Sequence, residues 1–293
     1  MDGILIIDKP AGITSHDVVS RVRRILKTRR VGHTGTLDPF ATGVMVVLVG
    51  KATRLAQFAD KAAKEYVAEI QFGYATDTGD LTGNLVGEKT TTELSRAQVQ
   101  AVLPRFLGEI EQVPPMYSAK KVEGKKLYEH ARKGETIDRK PIRTTIYELA
   151  VLEDDFVNGK LTIRVSCAAG TYIRTLAEDI GRALGVGAHL TALRRTAAGQ
   201  FDLRPAITLD YLEKLSSPWL AGLHWDRLVA HLPQVDLPEV RVKATLNGMS
   251  TRVERKDLQT GDLVSMFEPD GNIIAIGTYD GNEGCVKPKI VLV

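Results

Sequence analysis

Residues 32–49 constrain the fold most strongly, because a stiff polar turn leads there directly into an uninterrupted apolar run. Residues 32–39 have the sequence GHTGTLDP, which contains two glycines, two β-branched threonines and a terminal proline. Proline fixes its own φ and pushes the preceding residue, Asp38, into an extended conformation. The run at residues 44–49 has the length of a strand and no polar position, so it predicts a central strand.

Asp38 is the best candidate for a nucleophile in this chain. A carboxylate held on a stiff, glycine-flanked loop can attack an anomeric carbon and form a covalent intermediate. Asp-Pro is also a common way to open a turn, and an ordinary Asx-turn would use the same residues. On these residues alone, the plain turn is the favoured interpretation.

Basic residues are concentrated in two segments, although the formal net charge is only +3. Residues 21–30, the first basic segment, hold six lysines and arginines and no acidic residue. Residues 118–143, the second basic segment, hold nine lysines and arginines against four acidic residues, with Tyr128 among them. Either segment alone would be a solvated face. Together, on an otherwise acidic chain, they favour a nucleic acid, whose bases could stack on aromatic side chains between the cations.

The composition, with 43% hydrophobic and 26% charged residues, is that of a globular protein, and 293 residues fit one large or two ordinary domains. No apolar run is long enough to cross a bilayer, and the run at residues 4–7 is too short for a signal peptide. Cys167 and Cys285 show neither CxxC nor metal-ligand spacing. These features predict a cytoplasmic protein without disulfides or zinc.

Apolar periodicity predicts alternating strands and helices over the first two thirds of the chain. A strand at residues 3–8 precedes an amphipathic helix capped by Thr14 or Ser15. Residues 65–74 alternate, with Tyr66 on the apolar side, where a core tyrosine is the ordinary interpretation. Asn158-Gly159 predicts a hairpin. Further helices are predicted at 51–58, 92–106, 126–133 and ending near 184, and further strands at 143–154, 161–168 and 189–196.

The last part of the chain has a different pattern. Residues 231–238 contain two prolines and are predicted to be a linker. Short apolar runs follow at residues 263–267, 273–276 and 290–293, separated by Gly/Asp/Asn turn signals. This pattern predicts a small all-β module.

Six motifs, taken in order, resemble the TruB family of bacterial tRNA pseudouridine-55 synthases. They are DKPAGITS at 8–15, GHTGTLDP with ATG at 32–43, KEY at 64–66, PPMYSA at 114–119, GTYIR at 170–174 and LRR at 193–195. Any one of them is weak, but six in the family's order are specific. The resemblance runs from residue 3 to about 209, and the tail after it is the loosest part.

The resemblance implies an α+β fold, in which a mixed, mainly antiparallel sheet is flanked by helices. It implies a catalytic domain at residues 1–232, with residues 118–143 closing on RNA. A small PUA-like β-barrel that binds RNA would follow at residues 236–293. The implied activity is isomerisation of uridine 55 in the T loop of tRNA by base flipping, without cofactor or metal.

The resemblance also implies roles that position alone does not give. Asp38 would be the nucleophile, Arg174 its partner and Tyr66 the ring that stacks on the target uracil near the sugar. Without the resemblance, Arg174 could be a surface cation, because nothing in its position separates the two roles.

The remaining implied roles concern binding and support. Tyr172 and Leu193 would be the other walls of the pocket, although a leucine in a strand is ordinarily a core residue. His33 would insert into the RNA where flipped nucleotides left the stack. Lys9 and Pro10 would support the catalytic loop.

The expected partner is the T stem-loop of tRNA, with no membrane, no obligatory protein partner and a monomeric state. Two other interpretations stay open. The chain could act chiefly as a helper of RNA folding, or as the catalytic subunit of a guide-RNA particle. A relative with another target uridine is a third variation.

Overall fold

The main sheet combines strands from the first 202 residues of the chain. The computed structural model describes residues 2–59, 62–90, 93–118, 120–122, 124–131, 133–135, 137–218, 222 and 224–292. The strands up to residue 202 are β1 (Gly3–Lys9), β2 (Val31–His33), β3 (Thr42–Val49), β4 (Lys64–Phe72), β5 (Ala75–Thr76), β6 (Leu85–Val86), β7 (Gly108–Gln112), β8 (Lys121–Val122), β9 (Lys125–Lys126), β10 (Ile142–Asp155), β11 (Lys160–Cys167), β12 (Ala188–Ala198) and β13 (Phe201–Asp202).

Nine of these strands form one sheet in the order β1-β3-β12-β4-β11-β10-β7, with β2 on β3 and β13 on β12. Its pairs are antiparallel except for β3 with β12, where Arg194 lies opposite Thr42. This arrangement confirms the predicted mixed, mainly antiparallel sheet. The apolar run at 44–49 forms most of β3, which lies between β1 and β12. Alternate side chains of this run enter cores on opposite faces of the sheet, which explains why the run has no polar position.

Helices cover both faces of this sheet. They are α1 (Ser15–Leu26), α2 (Ala56–Ala59), α3 (Arg96–Val102), α4 (Leu127–Ala131), α5 (Ile173–Ala183) and α6 (Leu209–Lys214), with 3-10 helices at Gly50–Leu55, Leu103–Phe106 and Trp225–Val229. Thr14, one of the two predicted caps, is the N-cap of α1, and it also forms a capping box with Asp17. The helix expected from residue 92 begins only at Arg96, because Ser95 and Gln98 form a capping box there.

The predicted strands are present, but β4 ends earlier than predicted. Tyr66, Ala68, Ile70 and Phe72 are all buried on one side of β4, but the strand ends before Tyr74, at a glycine with φ of 107°. The β10–β11 hairpin turns at Asn158-Gly159 as predicted. In the second basic segment, α4 covers part of the predicted helix, and Arg132 lies outside the described residues.

The C-terminal residues form a separate five-stranded sheet in the order β14-β16-β17-β18-β15. Its elements are β14 (Gln234–Asp236), α7 (Glu239–Leu246), β15 (Thr251–Arg252), β16 (Leu263–Phe267), β17 (Ile273–Asp280) and β18 (Cys285–Val291). The predicted β module is therefore confirmed in its sheet, but it is not all β, because it also contains α7. The predicted linker at 231–238 is wrong in part, because β14 pairs in parallel with β16.

The C-terminal sheet packs on the end of the main sheet. Ile273, Ile276 and Ile290 share a core with Ile4 of β1 and Phe201 of β13. Burial of such side chains contributes roughly 1.5–3 kcal/mol each. Within the part of the chain that the structure describes, no helix is both long and apolar enough to cross a membrane.

Candidate active site

The loop that carries Asp38 connects β2 to β3 and crosses the N-terminus of α1. The Ser15 hydroxyl donates to the Leu37 carbonyl at 3.0 Å and accepts from the Leu37 amide at 2.8 Å. The Gly12 amide donates to the Pro39 carbonyl at 2.8 Å. The residues on both sides of Asp38 are therefore fixed to the start of α1.

Two buried cations donate to four carbonyl groups of this loop. Lys9 is fully buried, and its Nζ donates to the carbonyls of Pro39 at 3.2 Å and Ala41 at 2.7 Å. Burial lowers the pKa of Lys9 from 10.5 to about 8. On the other side of Asp38, Arg195 donates to the carbonyls of Thr36 at 3.4 Å and Gly35 at 3.2 Å.

Asp38 forms a two-point ion pair with Arg174, the second residue of α5. Nε of Arg174 lies 2.9 Å from Oδ2 of Asp38, and Nη2 donates to Oδ1 at 3.1 Å. Nη1 also donates to the Thr78 carbonyl at 2.8 Å, and Nη2 to the Tyr117 carbonyl at 2.7 Å. Arg174 therefore joins Asp38 to the loop at residues 76–83 and to the residue immediately before the second basic segment.

Opposing effects act on the Asp38 carboxyl. Burial raises its pKa above the ordinary 3.8, Arg174 lowers the pKa, and the nearby carboxylate of Asp80 raises it again. The net direction is upward, because the effect of burial on the pKa exceeds that of Arg174. That Arg174 keeps Asp38 ionised stays a prediction. Arg174 nevertheless favours the anion, which is the form that a nucleophile requires.

A cavity of about 470 Å³ opens above this ion pair. Tyr66, Tyr172 and Leu193 border it together with Asp38 and Arg174, so five of the six predicted site residues surround one space. Further cations on its wall are Lys64, Lys120 and Arg195.

Tyr66 and Tyr172, the aromatic residues that border the cavity, are held in different ways. Tyr66 is 8% exposed on β4, and burial raises the pKa of its hydroxyl. Tyr172 precedes α5, and the Gln112 side chain pins its backbone by accepting from its amide at 2.9 Å and donating to its carbonyl at 3.1 Å. The ring positions therefore follow from strand and helix geometry.

His33 is the predicted residue that does not border the cavity. It lies half-buried at the end of β2, and its Nδ1 accepts from the Gly35 amide at 3.2 Å. It is thus attached to the Asp38 loop, on a different part of the surface.

Arg195, Asp80 and Gln112 are site residues that sequence reasoning missed. Arg195 stands in a motif of the resemblance, and the signal was a cation at a strand position whose side chain faces the apolar side. Asp80 lies 3.7 Å from Nη1 of Arg174 and accepts from Thr78 and Thr82. No sequence signal distinguishes Asp80 from an ordinary loop aspartate. Among the described residues, no group of three His, Cys, Asp or Glu side chains could hold a metal ion.

Two family models match most of the chain. The N-terminal domain of the TruB family pseudouridylate synthases matches residues 23–173, and the C-terminal domain of tRNA pseudouridylate synthase B matches residues 174–236.

Curated relatives match nearly end to end. A tRNA pseudouridine synthase B of Azoarcus sp. (strain BH72) is 44% identical over 99% of this chain and 94% of the relative. One from Oceanobacillus iheyensis is 41% identical over 98% of this chain and 96% of the relative.

Two solved structures contain chains that resemble this one. A chain in a structure of an H/ACA RNP bound to a substrate RNA containing 2′-deoxyuridine has a TM-score of 0.76 and 28% identity, covering 99% of this chain and 85% of that one. A chain in a Cbf5-Nop10-Gar1 complex gives 0.76 and 29%, with the same coverage. Six ordered motifs, a mixed sheet that brings five of their side chains around one cavity, and these matches lead to one conclusion: the chain belongs to the TruB family of pseudouridylate synthases.

Proposed function

We propose that the chain converts uridine 55 in the T loop of tRNA to pseudouridine, with Asp38 as the nucleophile. The family and the names of the relatives support pseudouridine formation in tRNA. The observation that carries the finer proposal is the Asp38–Arg174 pair in a cavity of about 470 Å³ bordered by two tyrosines. That volume lies within the roughly 300–1,000 Å³ of small-molecule sites, which suits one extruded nucleotide.

The target base must first leave the loop stack, at a cost of a few kcal/mol. Stacking of the uracil on Tyr66 would recover about 1–3 kcal/mol. His33 lies outside the cavity but on the same loop as Asp38, which supports its role as the residue that fills the gap in the RNA. Tyr172 and Leu193 would confine the base on its other sides.

The chemistry balances without a cofactor. The Asp38 carboxylate attacks C1′ as the C1′–N1 bond breaks, and the uracil leaves with the bonding electrons. The uracil turns, C5 attacks C1′, and the carboxylate is released. Loss of the C5 proton and protonation of N1 complete the isomer. Arg174 supports this sequence because it favours the anion at the start and again at the release step.

The detached uracil must stay in place, so water has to be kept out during its rotation. The Tyr117 carbonyl, which accepts from Arg174, lies immediately before the second basic segment. Closure of that segment on RNA would therefore be transmitted directly to the ion pair. This connection supports residues 118–143 as the element that closes the site.

The organisation proposed for the whole chain follows from this activity. Residues 1–232 form the catalytic domain, and residues 236–293 form a PUA-like domain that adds RNA contacts. The T stem-loop of tRNA is the partner, and the chain acts as a monomer without an obligatory protein partner, in the cytoplasm where tRNA is available.

The decisive test uses the purified chain and an unmodified tRNA transcript labelled with tritium at C5 of uridine. We expect tritium release from the wild-type protein and none from Asp38→Asn, which should still bind the RNA. A transcript with cytidine at position 55 is the matched substrate control. Release from that transcript would contradict the site, and turnover by Asp38→Asn would contradict the nucleophile.

The second basic segment offers an independent test of RNA binding. Neutralising Lys120, Lys125 and Lys133 to glutamine should weaken tRNA binding. It should also reduce the slope of log affinity against log salt, by about 0.9 for each phosphate that the protein no longer neutralises. An unchanged slope would remove this segment from the RNA interface.

Assembly into a guide-RNA particle is the second candidate, because the solved structures that resemble this chain come from H/ACA complexes. The relatives named tRNA pseudouridine synthase B share a higher identity with it, 44% against 28–29%. Activity of the isolated chain on bare tRNA would decide for the stand-alone enzyme.

A further inference from the structure

Arg195 is a buried cation whose hydrogen-bond partners are backbone carbonyls rather than a carboxylate. It is 2% exposed, and its three nitrogens each reach a different carbonyl. Nε donates to Val44 at 2.6 Å, and the two Nη atoms donate to Thr36 at 3.4 Å and to Gly35 at 3.2 Å. Burying a guanidinium is costly unless its N–H donors form hydrogen bonds within the fold. The position therefore calls for a role beyond packing.

The guanidinium connects four elements at the edge of the cavity. It extends from β12, where Arg195 lies opposite Tyr66 of β4, and it takes one carbonyl from β3 and two from the Asp38 loop. Its charge opposes the rise in the pKa of the Tyr66 hydroxyl. Asp38 follows Thr36 by two residues, and Lys9 takes the carbonyls on the far side of Asp38. The two cations therefore hold the Asp38 loop from both sides, and Arg195 also lies opposite Tyr66 in the pairing of β12 with β4.

The backbone of Arg195 packs closely against β3. A Cβ placed on Gly43, whose φ is +102°, would lie 2.2 Å from the Arg195 carbonyl oxygen. β3 and β12 therefore approach as closely there as backbone allows. The closely packed backbone of Arg195 and its three directed donors therefore connect the Asp38 loop to β12 at a defined distance.

We infer that Arg195 is a positioning residue, which sets the distance between Asp38 and Tyr66 through the Gly35 and Thr36 carbonyls. Unlike Arg174, it does not contact the Asp38 carboxyl. Its expected effect is therefore on the rate of the chemical step rather than on RNA affinity or on the ionisation of Asp38. The kinetic consequence rests on the proposed function, whereas the ordering of the loop does not.

Arg194 supplies a matched control on the same strand. Its side chain points to the other face, where it pairs with Asp8 at 2.7 Å. Arg195→Met should lower the single-turnover rate of pseudouridine formation by about 10- to 100-fold, with the dissociation constant for tRNA within about twofold of wild type. Arg195→Lys should recover part of the rate, because an ammonium can still reach some of the carbonyls. Arg194→Met should change the rate by less than about threefold.

Three kinetic outcomes would overturn the inference. They are a rate for Arg195→Met close to wild type, an equal loss in Arg194→Met, and a loss of affinity that matches the loss of rate. The acid limb of the pH–rate profile is a further check. It should stay in place in Arg195→Met, which removes the charge, and a shift would indicate an electrostatic role instead.

Hydrogen–deuterium exchange tests the structural half without any activity. Peptides spanning residues 34–41 should exchange at least about 10-fold faster in Arg195→Met than in Arg194→Met. Equal exchange would contradict the inference even if the wild-type chain proved inactive on tRNA, which would refute only the proposed function. If Arg195→Met does not fold, Arg195→Lys replaces it, and failure of both to fold would reduce Arg195 to a purely structural residue.

Discussion

Two Asp–Arg pairs, each with two contacts between residues far apart in the chain, lie in different surroundings. Asp38 and Arg174 join two nitrogens to two oxygens at 2.9 and 3.1 Å, and Asp8 and Arg194 do so at 2.7 and 3.1 Å. The Arg174 side chain is 5% exposed, against 40% for Arg194. The first pair borders a cavity, whereas the second joins β1 to β12 across β3.

We expect this difference to separate a functional ion pair from a structural one. Both arginines lie far along the chain from their aspartates, and both aspartates stand in motifs of the TruB family. The two aspartate side chains are equally exposed, at 30% each, so what distinguishes Asp38 is its buried arginine partner and the cavity above it. Matched variants of the two pairs therefore test whether chemistry depends on the surroundings rather than on the pairing.

The largest contrast should appear on removing the carboxylates. Asp38→Asn is expected to lower single-turnover pseudouridine formation by on the order of 10⁴-fold, since the nucleophile is lost. Asp8→Asn should stay within about threefold of wild type, because its carboxylate is a structural partner. Mass spectrometry of the tRNA after a fixed interval measures both. If both variants lost the same fraction of the rate, the two pairs would not differ in their contribution to the chemistry.

The second contrast concerns charge and pH. Arg174→Gln should lower kcat/KM by about 10²–10³-fold, with the Arg194→Gln control near wild type. Burial already raises the pKa of Asp38, so the active anion is lost on acidification at a higher pH than for an exposed aspartate. Because Arg174 lowers that pKa, its removal should move the acid limb of kcat/KM to still higher pH. A limb that stays in place, or moves down, would contradict this electrostatic role.

Periodicity and turn chemistry were sufficient to predict most of the fold. The apolar run in β3, the alternation in β4 and the Asn158-Gly159 turn each reflect a local rule that tertiary packing did not override. The prediction of a linker at residues 231–238 was wrong in part for a physical reason. Its prolines flank β14 rather than interrupt it, and parallel pairing with β16 leaves no local pattern.

Charge patterning was less informative, because it does not show which charges meet. The first basic segment suggested a surface for a polyanion, yet Arg21 pairs with Asp210 and Glu213 of α6, and Arg24 also pairs with Glu213. These partners lie almost 190 residues away. Part of that segment therefore attaches α6 to α1.

The site was predictable only through the resemblance. Spacing alone favoured an ordinary turn at Asp38 and gave Arg174 no partner, because their contact spans 136 residues. The roles of the six predicted residues stay predictions until variants are measured. Arg195 was missed because a cation in a half-apolar strand gives no sign of which neighbours' carbonyls it will meet.

The smallest contrast is in folding stability, measured by urea unfolding at neutral pH. Arg174→Gln breaks a buried pair and should lower the free energy of unfolding by about 3–5 kcal/mol, whereas Arg194→Gln breaks a half-exposed one and should cost at most about 1 kcal/mol. Asp38→Asn should cost less than Arg174→Gln. A carboxyl whose pKa is raised on folding contributes stability below its unfolded pKa and loses it as pH rises through the folded pKa, so at neutral pH its removal relieves a penalty. If Asp38→Asn proved as destabilising as Arg174→Gln, Asp38 would be a structural ion-pair partner, and the contrast with Asp8 would fail.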